Sequence, residues 1–278
     1  MPRPLVLCAD DYAIAPGVSR GIVELAERGR LSATSCMSVS PFWPEHAARL
    51  KPLDGRIDIG LHLTLTDVPP LGSMPRTARH GKLPTLGWLM ASAALRRLDR
   101  AEIAAELTRQ VDAFEAALGR PPDFLDGHQH VHQLAGVREC VVDLLRRRLG
   151  GRGYVRVTEE PLPAVARRGV AVGRAAIIAL LAGKFSLMLR AEGIPANAGF
   201  GGVHDFSGKT PYRTLFRRFL SETGARPLIM CHPGHADAAL AAVDPVTVER
   251  EAEWQYFAGD DFPRDLADAG YRLARFAR

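Results

Sequence analysis

Short apolar runs alternate with segments of helical periodicity along almost the whole chain. The runs are rich in Val, Ile, Leu and aromatic residues and are bounded by turn-forming residues, which is typical of buried β-strands. They predict about eight strands, at 5–9, 33–39, 57–65, 124–127, 154–158, 228–232 and 271–276, with a weaker candidate at 198–203.

Between these runs, apolar residues recur at the three- and four-residue spacing of helices that bury one face. A face over 18–25 predicts a helix that ends at Gly29, and a longer face over 103–118 predicts one that ends at Gly119. The pair Asp244-Pro245 predicts another helix start, because Asp can accept bonds from free amides and Pro has no amide hydrogen.

Strands that alternate with helices indicate an α/β protein with a mainly parallel sheet and right-handed crossovers. Such a sheet is doubly wound or closed, and we favour a single-domain TIM-like (β/α) barrel over residues 1–278. Residues 69–85 predict a long loop over one barrel end. Residues 167–190 predict an interrupted helix, which precedes a glycine-rich loop at 197–208.

Composition narrows the class of protein. A hydrophobic content of 47% in 278 residues is enough for a large core and excludes a disordered chain. The net charge is +5, but no basic stripe with interleaved aromatic residues accompanies clusters such as 146–148, so we expect no nucleic-acid partner. The four cysteines are widely spaced and form no C-x-x-C pair, which predicts reduced thiols.

The sequence predicts no membrane span. Its longest apolar stretch, 175–189, is interrupted by Lys184 and is shorter than the roughly 20 residues that cross a bilayer. The first predicted strand begins by Leu5, which leaves no room for a secretory signal. We therefore expect a soluble cytoplasmic protein.

Carboxylates and imidazoles stand at the ends of several apolar runs. Asp10 and Asp11 follow the first strand, His62 lies in the third, and His232 ends a later one. Burying such groups is unfavourable unless they are hydrated, paired or bound to a cation. Because the carboxyl ends of barrel strands meet at one face, these residues predict one metal site.

The run from Asp126 to His132 is the densest of these clusters. Its three histidines, His128, His130 and His132, alternate with other residues, so an extended backbone would put them on one face. If the strand ends near His128, only that histidine need bind a metal, and the other two support it or face the substrate.

Each of these aspartates and histidines also has an ordinary structural explanation. Aspartates such as Asp10 and Asp11 are common where strands turn into helices. A histidine between leucines, such as His62, is often a hydrogen-bonded core residue, and His232 before Pro233 and Gly234 fits an exposed turn. An imidazole at that turn could also transfer a proton near neutral pH.

Taken together, four motifs resemble the YdjC-like family, also called the ChbG/HpnK carbohydrate deacetylases. The motifs occur in the family's order over nearly the whole chain, and the third is the most specific. They are Ala9-Asp10-Asp11-Tyr12, Gly60-Leu61-His62-Leu63-Thr64-Leu65, Asp126-Gly127-His128-Gln129-His130-Val131-His132 and Cys231-His232-Pro233-Gly234.

The resemblance implies a distorted (β/α) barrel that removes the acetyl group from an N-acetylated sugar of the N-acetylglucosamine type. It implies one divalent cation on Asp11, His62 and His128, with Asp10 as the catalytic base and His232 as the general acid. Asp126, His130 and His132 would then lie beside the ligands or at the substrate. Members of this family are often dimers, so we also consider a homodimer.

Several cations, and more than one class of protein, are compatible with these residues. Two imidazoles and a carboxylate suit Zn²⁺, Co²⁺, Ni²⁺, Mn²⁺ or Fe²⁺, and the resemblance implies Mg²⁺ or Zn²⁺. One rival is another metal-dependent barrel hydrolase, acting on phosphate esters or cyclic amides, which would usually have an early H-x-H pair. A second rival is a non-catalytic carbohydrate-binding barrel, which would need neither a base nor an acid.

Overall fold

The computed structural model describes residues 1–149, 153–221 and 223–276. In this part of the chain eight strands form one sheet in which every ladder is parallel. The strands are β1 Arg3–Tyr12, β2 Ala33–Cys36, β3 Asp58–Leu63, β4 Phe124–Gly127, β5 Tyr154–Val155, β6 Phe200–Gly201, β7 Leu228–Cys231 and β8 Tyr271–Leu273.

Helices connect the strands and cover the outside of the sheet. Three short 3₁₀ segments accompany them, at Ala47–Leu53, Arg79–Gly81 and His128–Gln133. The α-helices are α1 Pro16–Glu27, α2 Trp43–His46, α3 Leu86–Ala94, α4 Arg100–Leu118, α5 Val137–Arg148, α6 Leu162–Arg168, α7 Val172–Ala191, α8 Tyr212–Ser221, α9 Ala238–Ala241, α10 Val248–Ala258 and α11 Asp261–Asp268.

The sheet is a curled half-barrel with the order β5-β4-β3-β2-β1-β7-β6, and β8 pairs with the first residues of β1. This confirms the predicted barrel-like α/β fold. Complete closure is not seen, because within the described residues no ladder joins β5 to β6. Instead, a single bridge links Val155 to Ala196, and the Asn197 side chain bonds the backbone of Val157.

Alternate residues of the strands point to two different environments. Residues such as Leu5 and Leu7 of β1 pack outward against the helices, whereas Val6 and Cys8 pack inside the curl. The interior cluster includes Phe124 and other strand residues, and α6 and α7 add Val165 and Ala175 to it. Continuous apolar strands are expected when both faces of a parallel sheet are covered.

The observed strands are shorter than several of the predictions. The segment predicted at 33–39 ends at Cys36, and the one at 154–158 ends at Val155. The predicted helix end at Gly119 is confirmed: this residue is left-handed, with φ of 73°, and α4 begins where Asp99 accepts from the amides of two following residues.

The helix predicted to start at Asp244-Pro245 instead begins at Val248. Asp244 uses one carboxylate oxygen for the Val246 amide and the other for Arg250, so it stabilises a turn before the helix. The interrupted helix predicted at 167–190 is two helices, α6 and α7, separated at the left-handed Gly169.

Helix α7 is longer than the apolar stretch 175–189 that it contains. It spans 20 residues and contains an 18-residue window with a mean hydropathy of 1.7, so its length and composition alone would allow it to cross a membrane. A third of that window is buried inside the protein, and one helix of this kind is weak evidence for a membrane span.

Candidate active site

Asp10 and Asp11 lie near the end of β1 with their side chains in different directions. Asp11 has a left-handed backbone, with φ of 63°, and the ladder between β1 and β2 shifts register between Ala9 and Tyr12. Asp is one of the few non-glycine residues that tolerate this conformation. The shift lets two adjacent carboxylates face different neighbours within one site.

Two histidines, from the ends of β3 and β4, converge on Asp11. Its Oδ1 lies 2.9 Å from His128 Nδ1 and 3.2 Å from His62 Nε2. One ligand atom from each residue lies within 4.8 Å of the others, and the carboxylate and His62 are almost wholly buried. One carboxylate and two imidazoles at this spacing match the donor types of Zn²⁺ and related cations.

The second nitrogen of His62 supports the same interpretation. Its Nδ1 lies 2.7 Å from Asp126 Oδ1, and the Ser35 hydroxyl donates to that carboxylate. A carboxylate behind a histidine fixes the ring and leaves the other nitrogen available as a ligand. The residues present therefore fit a divalent cation held by Asp11, His62 and His128.

The pKa values of these buried groups are set mainly by the charges of their neighbours. Burial alone lowers the pKa of His62, but Asp126 and Asp11 outweigh it and raise the pKa to about 10 in the absence of a cation. Burial raises the pKa of Asp11, but Arg250, with its NH2 2.6 Å from Oδ2, and His128 hold that pKa well below its ordinary value. Asp11 is therefore ionised and available to a cation.

Asp10 lies inside the curl beside Arg156. The guanidinium NH1 is 2.6 Å from Asp10 Oδ1, and its NH2 is 2.9 Å from Asp126 Oδ2. Burial raises the pKa of Asp10, although Arg156 opposes this. The arrangement holds one oxygen of Asp10 and leaves Oδ2 facing His232, 3.9 Å from its Nε2.

His232 follows β7 directly, and its backbone is fixed by a buried carboxylate. The His232 amide donates to Glu253 Oε2 at 2.6 Å, and Glu253 also lies 3.0 Å from His204 Nε2. The ring packs edge-on against Phe206. Burial lowers the pKa of His232 well below its usual range, so its resting imidazole is neutral near pH 7.

His130 and His132 do not follow an extended backbone. Strand β4 ends at Gly127, and the next six residues form a 3₁₀ segment in which Gln129 and His130 are left-handed. The expectation that the three histidines share one face of a strand is therefore wrong. The alternative prediction, that the strand ends near His128, is confirmed.

The two histidines occupy different surroundings. His130 packs edge-on against Phe200, and burial lowers its pKa. His132 is completely buried, and its Nε2 lies 2.8 Å from the backbone oxygen of Arg156. It also packs against Phe185 of α7. His132 therefore supports the segment that carries Arg156.

A second group of potential ligands, Cys8, Asp10 and Asp126, lies close together in the interior. Arg156 bridges both of its carboxylates. Burial raises the pKa of Cys8 well above its ordinary value, which keeps the thiol protonated. A guanidinium in this position neutralises the carboxylates, so this group does not fit a cation.

Four residues of the site were not predicted from the sequence. Ser35 in β2 and Arg156 just after β5 each lie two residues beyond an interior residue, Ala33 and Tyr154, so the two-residue period was a usable signal. Arg250 and Glu253 come from α10, and no local pattern shows that this helix reaches the strand ends. Only the packing of α10 reveals them.

The fold and the site define a class. This is a barrel-like parallel α/β protein with a candidate metal centre, one carboxylate and two imidazoles, at the carboxyl ends of its strands. A family model described as YdjC-like protein matches residues 4–268, so the chain belongs to the YdjC-like family.

Curated relatives and a solved structure match over almost the full length. The chain is 28% identical to the chitooligosaccharide deacetylase of Klebsiella pneumoniae (strain 342), over 99% of both chains. It is 29% identical to the enzyme of that name from Proteus mirabilis (strain HI4320), over 99% of this chain and 98% of the relative. A putative cellobiose-phosphate cleavage protein from Enterococcus faecalis V583 has a similar fold, with a TM-score of 0.78, 19% identity and coverage of 99% and 98%.

Proposed function

We propose that this protein removes the acetyl group from an N-acetylated sugar of the N-acetylglucosamine type and releases acetate and a free amino sugar. The observation that carries the proposal is the convergence of Asp11, His62 and His128 beside Asp10 and His232. The names of the full-length relatives support the same reaction. We further propose that the reaction depends on a divalent cation.

The three converging side chains would hold the cation. When bound, a divalent cation supplies an acidified water and polarises the acetyl oxygen. Asp126 and Ser35 keep the His62 ring oriented toward Asp11. Arg250 neutralises the second oxygen of Asp11, which limits the negative charge of the site.

Asp10 acts as the base in this proposal. Arg156 fixes Oδ1, so Oδ2 is free to take a proton from the attacking water. Transfer of that proton to the neutral imidazole would require the two groups to approach, because Asp10 Oδ2 and His232 Nε2 lie 3.9 Å apart, which is longer than a hydrogen bond. His232 would then deliver it to the nitrogen of the leaving amine, which balances the hydrolysis.

Other predictions stay open as part of this proposal. Asp126 and His132 would orient the ligands and Arg156, whereas the less buried His130 is our candidate for substrate contact. We keep a single catalytic domain over 1–278, a cytoplasmic location and a homodimer as predictions. Zn²⁺ and Mg²⁺ are the first cations to test.

The test is an acetate-release assay on N-acetylglucosamine oligosaccharides. The protein is stripped with a chelator and reloaded with Zn²⁺, Mg²⁺, Mn²⁺ or Co²⁺. We expect acetate only after reloading. Asp10→Asn should lower the rate by at least about 100-fold, the low end for loss of a general base, while the cation stays bound. Asp112→Asn, at an exposed carboxylate, is the matched control and should keep full activity.

Two outcomes would contradict the proposal. Full activity in Asp10→Asn would remove the base assignment. Phosphate release from sugar phosphates, without acetate release from any N-acetylated sugar, would favour the rival class of barrel phosphoesterase.

A further inference from the structure

The α6–α7 hairpin, residues 162–191, carries an unusual concentration of exposed apolar side chains. Eleven large hydrophobic residues are exposed in the described part of the chain, and five of them lie in this hairpin. Their exposed fractions run from 41% to 66%. They are Leu162, Val172, Ile177, Leu180 and Leu187. Clustering of this kind marks an interaction surface more than scattered exposed residues do.

Three of these residues lie along one line on α7. Ile177, Leu180 and Leu187, together with Lys184, recur at spacings of three and four, so they share one face over about 15 Å. We call this line the outer face of the hairpin. It is the face that the protein itself leaves uncovered.

The opposite face of α7 is already occupied. Ala175 joins the interior cluster, and Phe185 packs against the ring of His132 in the site. The backbone oxygen of Ile178 accepts a hydrogen bond from Thr158. With these contacts in place, α7 cannot cross a bilayer as an isolated helix, although its length would allow it. Its outer face could only lie flat on a surface.

The charges of the hairpin indicate what that surface is. Residues 161–191 contain no Asp or Glu. Of their basic residues, Arg168 is buried against Glu160 and Arg190 pairs with Glu159, whereas Arg174 and Lys184 are exposed. Lys184 lies within the apolar line, is exposed, and has no ion pair within the described residues. Two copies placed face to face along this line would bring their Lys184 side chains together with no acidic residue of the line to pair with them. Anionic headgroups over an apolar layer complement both features.

We propose that the outer face of the α6–α7 hairpin binds the surface of an anionic lipid bilayer. The leucines and Ile177 would enter the headgroup boundary while Lys184 contacts lipid phosphates. This proposal concerns a surface outside the site and does not depend on the proposed deacetylation.

Sedimentation with vesicles tests the proposal on the full chain. Wild-type protein is mixed with vesicles of equal parts phosphatidylglycerol and phosphatidylcholine, or of phosphatidylcholine alone. We expect binding at least about tenfold tighter to the anionic vesicles and weaker binding in high salt. Leu180→Ser with Leu187→Ser should reduce affinity about tenfold, and Lys184→Glu should remove the preference for anionic vesicles.

The matched control is Leu95→Ser with Val248→Ser, which removes two equally exposed apolar residues outside the hairpin and should leave binding unchanged. Circular dichroism and thermal unfolding establish that each variant is folded. Equal binding of wild type to both vesicles, or unchanged binding of the Leu180 and Leu187 variant, would overturn the proposal. So would a wild-type dimer that this variant converts to monomer, because a second copy would then cover the face. Acetate release from a soluble sugar is measured in parallel, so failure of one proposal is separable from failure of the other.

Discussion

Arg156 is the residue whose removal tests the buried charges of the site most directly. It is completely buried and lies 2.6 Å from Asp10 and 2.9 Å from Asp126. Arg156→Met keeps most of the side-chain volume and leaves two buried carboxylates without their cation. Removing one partner of a buried ion pair typically destabilises a protein by about 3–5 kcal/mol. We expect a loss of that size in the free energy of unfolding.

Urea unfolding, followed by circular dichroism in the presence of a chelator, measures this loss without a contribution from bound metal. Arg148→Met is the matched control, because its pair with Asp112 has the same 2.6 Å separation but is exposed. Exposed pairs contribute at most about 1 kcal/mol. Adding Asp10→Asn to Arg156→Met should restore part of the stability, since one of the uncompensated charges is then removed. Equal losses in Arg156→Met and Arg148→Met would refute the argument from burial.

Two further predictions concern the histidines. His62→Ala and His128→Ala should each lower the metal content measured by atomic emission, whereas His232→Ala should retain it; unchanged metal in both ligand variants would contradict the proposed centre. Burial lowers the pKa of His132 to about 4, whereas the unfolded chain has a value near ~6.5. The unfolded chain thus binds more protons between these values, so stability should fall by about 3 kcal/mol as the pH drops from ~6.5 to ~4. His132→Gln, which keeps a donor for the Arg156 carbonyl, should flatten this slope in urea unfolding at several pH values, and an unchanged slope would count against a neutral buried His132.

Much of the fold could be predicted from the local pattern of apolar residues. The continuous run before Asp10 indicates a strand covered on both faces, and that strand lies inside the observed sheet between β2 and β7. Gly119 marks the end of α4 because a left-handed residue there closes the helix. The start of α10 was predicted too early, because Asp244 bonds the Val246 amide and Arg250 and so stabilises a turn before the helix.

The candidate site also has features that could be predicted from the sequence and features that could not. Metal-ligand residue types at strand ends could be found in the sequence, because parallel strands bring their carboxyl ends to one face. The left-handed Asp11 and the 3₁₀ segment after Gly127 could not, since each depends on neighbouring strands and helices that fix the backbone. Glu253 could not be predicted for the same reason, because it contacts His232 only through the packing of α10.

The sequence by itself determined the alternation of strands and helices and the residue types available for chemistry. These follow from periodicity and from the unfavourable energy of burying unpaired polar groups. Only the tertiary structure decided which charges meet. Arg156 and Arg250 each lie far along the chain from an aspartate that they neutralise, and burial of Asp11 is offset by Arg250 together with the two histidines beside it. Pairing of this kind depends on through-space distance, which no local sequence pattern records.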